Sequence, residues 1–271
     1  MTTDRRRLDV QLVRAGIVET REQAQIAISA KQVLVNGSIA LKAAQQVRTS
    51  DAIRLLETRR FVSRAGFKLE RALDDFSVEV RGLRCLDVGL STGGFSQCLL
   101  RNGAFGVVGV DVGTSQVHEK IATDPRMLVV EQTDIRDFAR SCDTSFELIV
   151  CDVSFISLCS IAAALKSLLL LPKGLLLVLI KPQFELDKAS VSRGKGVVRS
   201  VELWRKAIFR VVEGLNGQSL VLTQIAPARP KGATGNQEFV ALFKYSSHFT
   251  LEEVDATLLI ERALESALLV D

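Results

Sequence analysis

The sequence predicts an α/β protein with a Rossmann-like, doubly wound sheet of seven strands and a small α+β domain in front of it. Short apolar segments alternate with helix-like segments after about residue 67, as in a parallel sheet covered by helices on both faces. Asn36-Gly37 marks a tight hairpin in the N-terminal part. The stretch 85-CLDVGLSTGGFSQCLLRNGA-104 has the pattern of a strand, a glycine-rich loop and a helix. We divide the chain into a first domain (1–58), a linker (59–66) and a second domain (67–271).

The composition limits the class of protein. Of the 271 residues, 47% are hydrophobic and 24% are charged, which is typical of a soluble globular protein. The apolar runs are too short for a membrane-spanning helix, and the first residues contain no apolar core of signal-peptide length, so we expect a cytoplasmic protein. The five cysteines form no C-x-x-C pair, and His118 and His248 are far apart in the sequence. This pattern argues against a zinc site or a Ser-His-Asp triad, and we expect no metal.

The first domain carries signals for two helices and a small sheet. One helix is predicted to end at Gly16. The capping box 20-TREQ-23 opens a second helix, Arg21 to Ser29. Strands are predicted within 33–40 and at 52–56.

The charge of the chain is concentrated at its beginning. Residues 1–60 hold 11 Lys/Arg and 6 Asp/Glu, a net charge of +5, whereas the remainder is close to neutral. A basic module joined to a near-neutral domain indicates a polyanion as partner.

The second domain contains seven predicted strands and a closing helix at 250–269. The strands are 84–89, 106–111, 127–132, 146–152, 174–181, 219–226 and 238–245. In such a sheet ligands bind at the carboxyl ends of the strands, where the loop after the first strand lies.

That loop discriminates between three cofactor classes. A phosphate loop of the Walker type needs a lysine, and none follows Gly93 or Gly94. A dinucleotide loop needs G-x-G-x-x-G, and 89-GLSTGG-94 lacks its second glycine. The looser pattern of an S-adenosylmethionine site fits better. The residues predicted to bind that cofactor here are Asp87, Gly89, Ser91, Gly93 and Gly94.

Acidic residues after later strands extend the predicted cofactor site. Asp111 ends the second strand, where an acid can bind ribose hydroxyls, although the same acid would suit NAD. Asp134 follows the third strand and is expected near the adenine amine, with a helix N-cap as the alternative role. Asp152, at the end of the fourth strand, borders the same site.

Four ionisable residues lie where a buried sheet would exclude them unless they had a function. Lys68 lies in a helix before the first strand, Asp152 and Lys181 end strands, and Glu238 opens the last one. Asp152 and Lys181 end adjacent strands, and unpaired charges there would be costly. We therefore expect these two side chains to pair.

Two resemblances to known families cover most of the chain. Residues 7–55 resemble the S-four RNA-binding domain. The resemblance implies RNA contacts by basic residues, for which the candidates are Arg5, Arg6, Arg7, Arg14, Arg21, Lys31 and, beyond the domain, Arg64. Taken whole, the chain resembles the TlyA family of FtsJ-type ribosomal RNA 2′-O-methyltransferases. The matching stretches are FVSRAGFKLERAL, LDVGLSTGGFSQCLLRNGA, VGVDVGTSQ, CDVSFISL, LIKPQFE, GKGVV and GNQEF.

The second resemblance implies a function and a catalytic tetrad. The family uses a Lys-Asp-Lys-Glu tetrad, which falls on Lys68, Asp152, Lys181 and Glu238. The implied activity is S-adenosylmethionine-dependent methylation of a ribose 2′-hydroxyl in 16S or 23S ribosomal RNA, with cytidine as the expected nucleotide. Lys181 is expected to act as general base or to steer the hydroxyl. The family usually has alanine where this chain has Leu90.

Other functions remain open from the sequence. The basic first domain would suit an RNA-binding ribosome-assembly factor whose second domain is vestigial. Some family members are labelled haemolysins, although we expect no membrane partner. A protein or small-molecule methyltransferase is a third alternative. The expected partners are ribosomal RNA or ribosomal subunits.

Overall fold

The computed structural model describes residues 5–18, 20–29, 31–55, 60–187, 191, 194, 196–247 and 253–269, without the side chains of 253–255. The chain divides into two compact units, residues 1–60 and 61–271. The predicted end of the first domain, residue 58, lies outside the described residues. Of the predicted linker, Phe61 is buried among hydrophobic residues of the second unit, and the first helix of that unit begins at Ala65.

The described residues of the first unit form two helices and two small sheets. In chain order its elements are β1 (Arg5–Arg7), α1 (Leu8–Arg14), α2 (Arg21–Ser29), β2 (Val33–Val35), β3 (Ser38–Ile39), β4 (Gln46–Arg48) and β5 (Ile53–Leu55). The predicted helices, hairpin and last strand are confirmed, and β3, β2 and β5 form one antiparallel sheet. The β1–β4 pair was not predicted, because three consecutive arginines give no strand signal.

The second unit contains a seven-stranded sheet. Its strands are β6 (Arg84–Val88), β7 (Gly106–Val110), β8 (Met127–Val130), β9 (Leu148–Cys151), β10 (Leu175–Ile180), β11 (Leu220–Pro227) and β12 (Phe239–Tyr245). All seven predicted strands are confirmed with shifts of at most two residues at their ends. The order across the sheet is β11-β12-β10-β9-β6-β7-β8. Pairs from β10 to β8 are parallel, whereas β12 is antiparallel to both of its neighbours.

Helices cover both faces of this sheet. They are α3 (Ala65–Asp75), α4 (Gly94–Arg101), α5 (Glu119–Ala122), α6 (Ile135–Ser141), α7 (Ala162–Leu168), α8 (Pro182–Glu185), α9 (Val201–Asn216) and α10 (Glu253–Leu268), with a 3₁₀ turn at Leu158–Ser160. The four residues of β9 are all buried, which explains its unbroken apolar sequence. Within the described part of the chain, none of the helices combines the length and apolarity needed to cross a membrane.

The strand order places one switch point in the middle of the sheet. The chain passes from β6 to β7 on one side and later returns to β9 on the other side of β6. Ligands of open α/β sheets bind at such a point, outside the carboxyl ends of the strands. A ligand site is therefore expected among the loops after β6, β9 and β10.

Candidate active site

The sheet brings the four predicted catalytic residues to one edge. Asp152 follows β9 and Lys181 follows β10, and these strands are parallel neighbours. Glu238 precedes β12, which runs in the opposite direction with Phe239 opposite Ile180. The start of β12 therefore lies at the same edge as the end of β10.

The four side chains form two ion pairs. Lys181 Nζ lies 2.6 Å from Asp152 Oδ1 and donates to Ser154 Oγ at 2.9 Å. Lys68 Nζ lies 2.5 Å from Glu238 Oε2, and less than a tenth of either side chain is exposed. The prediction that Asp152 and Lys181 pair is confirmed. The physical reason is that a charge so little exposed needs a counterion.

Both ion pairs border one cavity. This tetrad cavity, of about 420 Å³, is lined by Lys68, Asp152, Lys181 and Glu238, together with residues that include Arg64 and Phe184. Counting Arg64, three positive and two negative side chains therefore border one space that is large enough for part of a nucleotide.

A second cavity adjoins the first. This loop cavity, of about 390 Å³, lies between the loops that follow β6, β7, β8 and β9. Apolar side chains such as Val110 and Ile156 line it beside the carboxylates of Asp111, Asp134 and Asp152. The two cavities have four residues in common, namely Gly89, Ser91, Asp152 and Ser154.

Asp111 accepts hydrogen bonds from two loops that border the loop cavity. Its Oδ2 accepts from the N–H of Ser91 and its Oδ1 from the N–H of Gly113, both at 2.7 Å. The carboxylate thus faces the cavity in a fixed orientation. Its predicted contact with ribose hydroxyls stays a prediction.

Asp134 is both the N-cap of a helix and a residue that lines the cavity. It caps α6 by accepting from Arg136 N–H at 2.8 Å, and it lines the loop cavity. The Arg136 guanidinium, 2.6 Å away, lowers the pKa of Asp134 to about 2. Both carboxylate oxygens already have partners, and the predicted adenine contact stays a prediction.

Asp87 lies behind the loop and borders neither cavity. It is fully buried, and its Oδ2 accepts from Ser96 N–H at 2.9 Å and Ser96 Oγ–H at 2.6 Å. Its Oδ1 is buried and has no hydrogen-bond partner among the described residues. Burial raises the pKa of Asp87 to about 7, and the charges of Asp152 and Asp111 add to the rise. The geometry assigns Asp87 a role in holding the first helical turn of α4 to β6.

The loop glycines allow close packing within the protein. Gly89 has a φ of +86°, and a Cβ there would lie 2.6 Å from the carbonyl oxygen of Asp152. A Cβ on Gly94 would overlap Ser63 Oγ. The sequence predicted that Gly89 and Gly94 contact a cofactor, whereas these two close contacts are with the chain itself.

Leu90, which stands where the family usually has alanine, packs into space left by Gly109 in strand β7. It is 2% exposed, and a Cβ on Gly109 would lie 2.7 Å from both of its methyl carbons. The missing side chain at Gly109 thus makes room for Leu90.

Three residues of the site were not predicted. Ser154 binds Lys181, and Phe155 lines the loop cavity with 91% of its surface exposed and a φ of +66°. Its ring lies 5.0 Å from that of Phe184, which lines the tetrad cavity. The available signal for Ser154 and Phe155 was their position two and three residues beyond Asp152, in a loop at the switch point, and for Phe184 its position three residues beyond Lys181.

In the first unit, a buried carboxylate organises two of the predicted RNA-binding arginines. Asp9 accepts two hydrogen bonds from Arg7 at 3.0 Å, one from Arg21 at 2.9 Å and one from Gln25 at 3.2 Å. The hydrogen bonds from Arg7 hold the pKa of Asp9 well below its usual range. Of the other candidates in this unit, Arg5, Arg14 and Lys31 are exposed and Arg6 is partly buried. Arg64 belongs to the second unit.

Comparisons with known proteins agree with this geometry. The FtsJ-like methyltransferase family matches residues 61–245, and the S4 domain matches residues 6–53. The chain is 36% identical over 238 residues to "16S/23S rRNA (cytidine-2'-O)-methyltransferase TlyA" of Mycobacterium tuberculosis, covering 87% of this chain and 88% of that protein. It is 38% identical over 244 residues to "Hemolysin A" of Brachyspira hyodysenteriae, covering 88% and 99%.

Among solved structures, a Streptococcus thermophilus protein named as a hemolysin superposes with a TM-score of 0.71 at 30% identity, over 98% of each chain. Over the described residues, no group of three or more His, Cys, Asp and Glu side chains is placed to hold a metal ion. The two family matches and the identity to the Mycobacterium tuberculosis protein show that the chain belongs to the TlyA family of FtsJ-like methyltransferases and carries an N-terminal S4 domain.

Proposed function

We propose that this methyltransferase transfers a methyl group from S-adenosylmethionine to the 2′-hydroxyl of a ribose, at a cytidine of ribosomal RNA. The observation that carries the proposal is the convergence of Lys68, Asp152, Lys181 and Glu238 on one cavity that adjoins the loop cavity. The name of the Mycobacterium tuberculosis relative supports the choice of nucleotide. Such a substrate also accounts for the expected cytoplasmic location.

The loop cavity fits the cofactor in size and in chemistry. Its volume of about 390 Å³ lies within the usual range for small-molecule sites. Apolar side chains suit the adenine, and the fixed Asp111 carboxylate suits ribose hydroxyls. When bound, S-adenosylmethionine supplies an electrophilic methyl on its sulfonium, so positioning supplies much of the rate.

Lys181 acts on the hydroxyl proton. Its Nζ is held by Asp152 and Ser154, which leaves one position of the amine for the substrate hydroxyl. There the amine takes the hydroxyl proton when it is itself unprotonated, whereas as an ammonium it holds the oxygen in line for attack. The Lys68–Glu238 pair lines the same cavity and adds no net charge to it.

The S4 domain would bind the RNA mainly through phosphates. Residues 1–60 carry a net charge of +5, and the candidate arginines lie on short elements at the surface. Phosphate contacts release counterions, so binding should weaken steeply with salt.

The test uses the chemistry of the product. Purified protein is incubated with S-adenosylmethionine labelled in its methyl group and with ribosomal subunits from cells that lack the activity. The RNA is then hydrolysed in alkali, which cannot cleave after a 2′-O-methylated ribose. We expect label in alkali-resistant dinucleotides with cytidine in the 5′ position. Label in mononucleotides would indicate base methylation, and RNA binding without any label would favour an assembly factor.

A further inference from the structure

Glu185 is a buried carboxylate that the proposed chemistry does not use. It ends α8, four residues after Lys181, and is 2% exposed. Its Oε2 accepts from Ser157 Oγ at 2.5 Å and its Oε1 from Leu158 N–H at 2.9 Å. Burial raises the pKa of Glu185, whereas these two hydrogen bonds act in the opposite direction. A carboxylate kept at such a depth has a specific structural task.

The segments that follow β9 and β10 form a closed ring. At one end, Lys181 contacts Asp152 and Ser154. At the other end, Glu185 contacts Ser157 and the start of the 3₁₀ turn. Each side of the ring is a short piece of chain, 152–158 or 181–185, and the side chains of Lys181 and Glu185 close its two ends.

The ring carries parts of both cavities and is fastened to the core. Residues 153–156 line the loop cavity, and Phe184 lines the tetrad cavity. The carbonyl oxygen of Glu185 accepts from Arg210 Nη1 at 2.8 Å, which anchors the end of α8 to α9. A displacement at the far end of the ring would therefore reach both cavities.

We propose that Glu185 is a positioning residue for methyl transfer, and the inference rests on the proposed function. Its carboxylate holds segment 153–157 against α8. It thereby keeps Asp152 and Ser154 at the observed distances from the amine of Lys181. Because proton transfer and in-line attack depend on such distances, a small displacement of this segment lowers kcat.

Glutamine is the informative substitution at this position. Its amide oxygen can accept from Leu158 N–H, and its amide nitrogen can donate to Ser157 Oγ. Glu185→Gln therefore keeps both hydrogen bonds and changes only the charge. Glu185→Ala removes both. Leu165→Ala is the stability control, since Leu165 is fully buried in α7 and lines neither cavity.

The experiment combines amide hydrogen exchange with steady-state kinetics on the full-length variants. In Glu185→Ala we expect faster exchange in residues 153–158 and a kcat lowered by up to about 100-fold. We expect the KM for RNA to change by less than about threefold, because the S4 domain is untouched. Glu185→Gln should recover most of the kcat. Leu165→Ala should unfold more easily without the local increase in exchange.

Several results would overturn the proposal. These are unchanged exchange at 153–158 in Glu185→Ala, a kcat within about twofold of wild type, or a glutamine variant as slow as the alanine variant. If Glu185→Ala does not fold, Ser157→Ala removes one of the two contacts and must show the same two effects in smaller measure. A wild-type protein that methylates no ribosomal RNA would contradict the proposed function instead, and the exchange data would still test the contact.

Discussion

Lys68 and Glu238 lie 170 residues apart in the chain, yet their Nζ and Oε2 atoms meet at 2.5 Å in a buried ion pair. This contact joins the first turn of α3 to the start of β12, the antiparallel strand of the sheet. The pair therefore depends on the complete fold of the second unit.

Removing one partner of that ion pair should strongly lower the free energy of unfolding. Lys68→Ala or Glu238→Ala alone should cost about 3 kcal/mol of unfolding free energy, because each leaves a buried charge without its partner. The double variant should cost clearly less than the sum of the two. Urea unfolding of all four proteins measures this coupling. The exposed Arg140–Asp137 pair is the control, for which we expect almost no coupling. Additive losses at Lys68 and Glu238 would contradict the contact.

Asp87 should make the unfolding free energy depend on pH. Its pKa is about 7 in the folded protein, above its ordinary value of 3.8, so the folded state binds more protons between these pH values. The contribution of Asp87 is therefore favourable at low pH and is lost as the pH rises towards 7. Asp87→Asn should remove this dependence and gain on the order of a few kcal/mol relative to wild type between pH 4 and pH 8.

Urea unfolding across that pH range provides the measurement, and the exposed Asp143→Asn variant provides the control. Parallel curves for Asp87→Asn and wild type would show that Asp87 ionises normally. The same geometry makes Asp87→Ala a poor test of cofactor binding, since the substitution also removes both hydrogen bonds to Ser96.

Leu90 and Gly109 should behave as a complementary pair. Gly109→Ala places a methyl group 2.7 Å from the Leu90 side chain, and we expect a loss of about 1–3 kcal/mol together with weaker cofactor binding. Combining it with Leu90→Ala should restore part of both, because the smaller side chain removes the overlap with Leu90, and the remaining contact, 2.6 Å to Cε of Met127, is with the end of a flexible side chain. Thermal unfolding and calorimetric titration with S-adenosylmethionine test this. A double variant worse than the sum of its parts would refute the pairing.

Arginines of the S4 domain should separate into two groups. Arg14→Gln should lower the slope of log K against log salt for RNA binding by about 0.7 to 0.9 and leave stability unchanged. Arg21→Gln should do the same and also destabilise the first unit, since Asp9 is fully buried and loses a charged partner. Filter binding at several salt concentrations and thermal unfolding distinguish the two. Unchanged slopes in both variants would exclude these side chains as phosphate contacts.

Much of the second unit was predictable because its strands are buried on both faces. An unbroken apolar run such as β9 leaves few alternatives, and the residue that ends such a strand lies at the ligand edge. Asp152 and Lys181 were found in this way, and their pairing followed from the cost of burying charge.

The features that were not predicted depend on contacts between segments that are separated in the sequence. The partner of Asp87 is Ser96, nine residues away, and only the turn into α4 brings them together. Glu185 reaches Ser157 only because β9 and β10 are adjacent. Strand β1 consists of three arginines and forms because β4 is available to pair with it. None of these contacts leaves a periodic pattern in the sequence.

The central claim is that the tetrad cavity transfers methyl groups to a ribose, with Lys181 acting on the hydroxyl proton. The most direct measurement is the rate at which alkali-resistant methyl label forms on ribosomal RNA by Lys181→Ala, beside the exposed-residue control Lys173→Ala. We expect the Lys181→Ala rate to fall by at least about 100-fold while its affinity for S-adenosylmethionine changes by less than about threefold. Lys181→Arg should fail as well, because a guanidinium does not give up its proton. Near-wild-type labelling by Lys181→Ala would contradict the assignment.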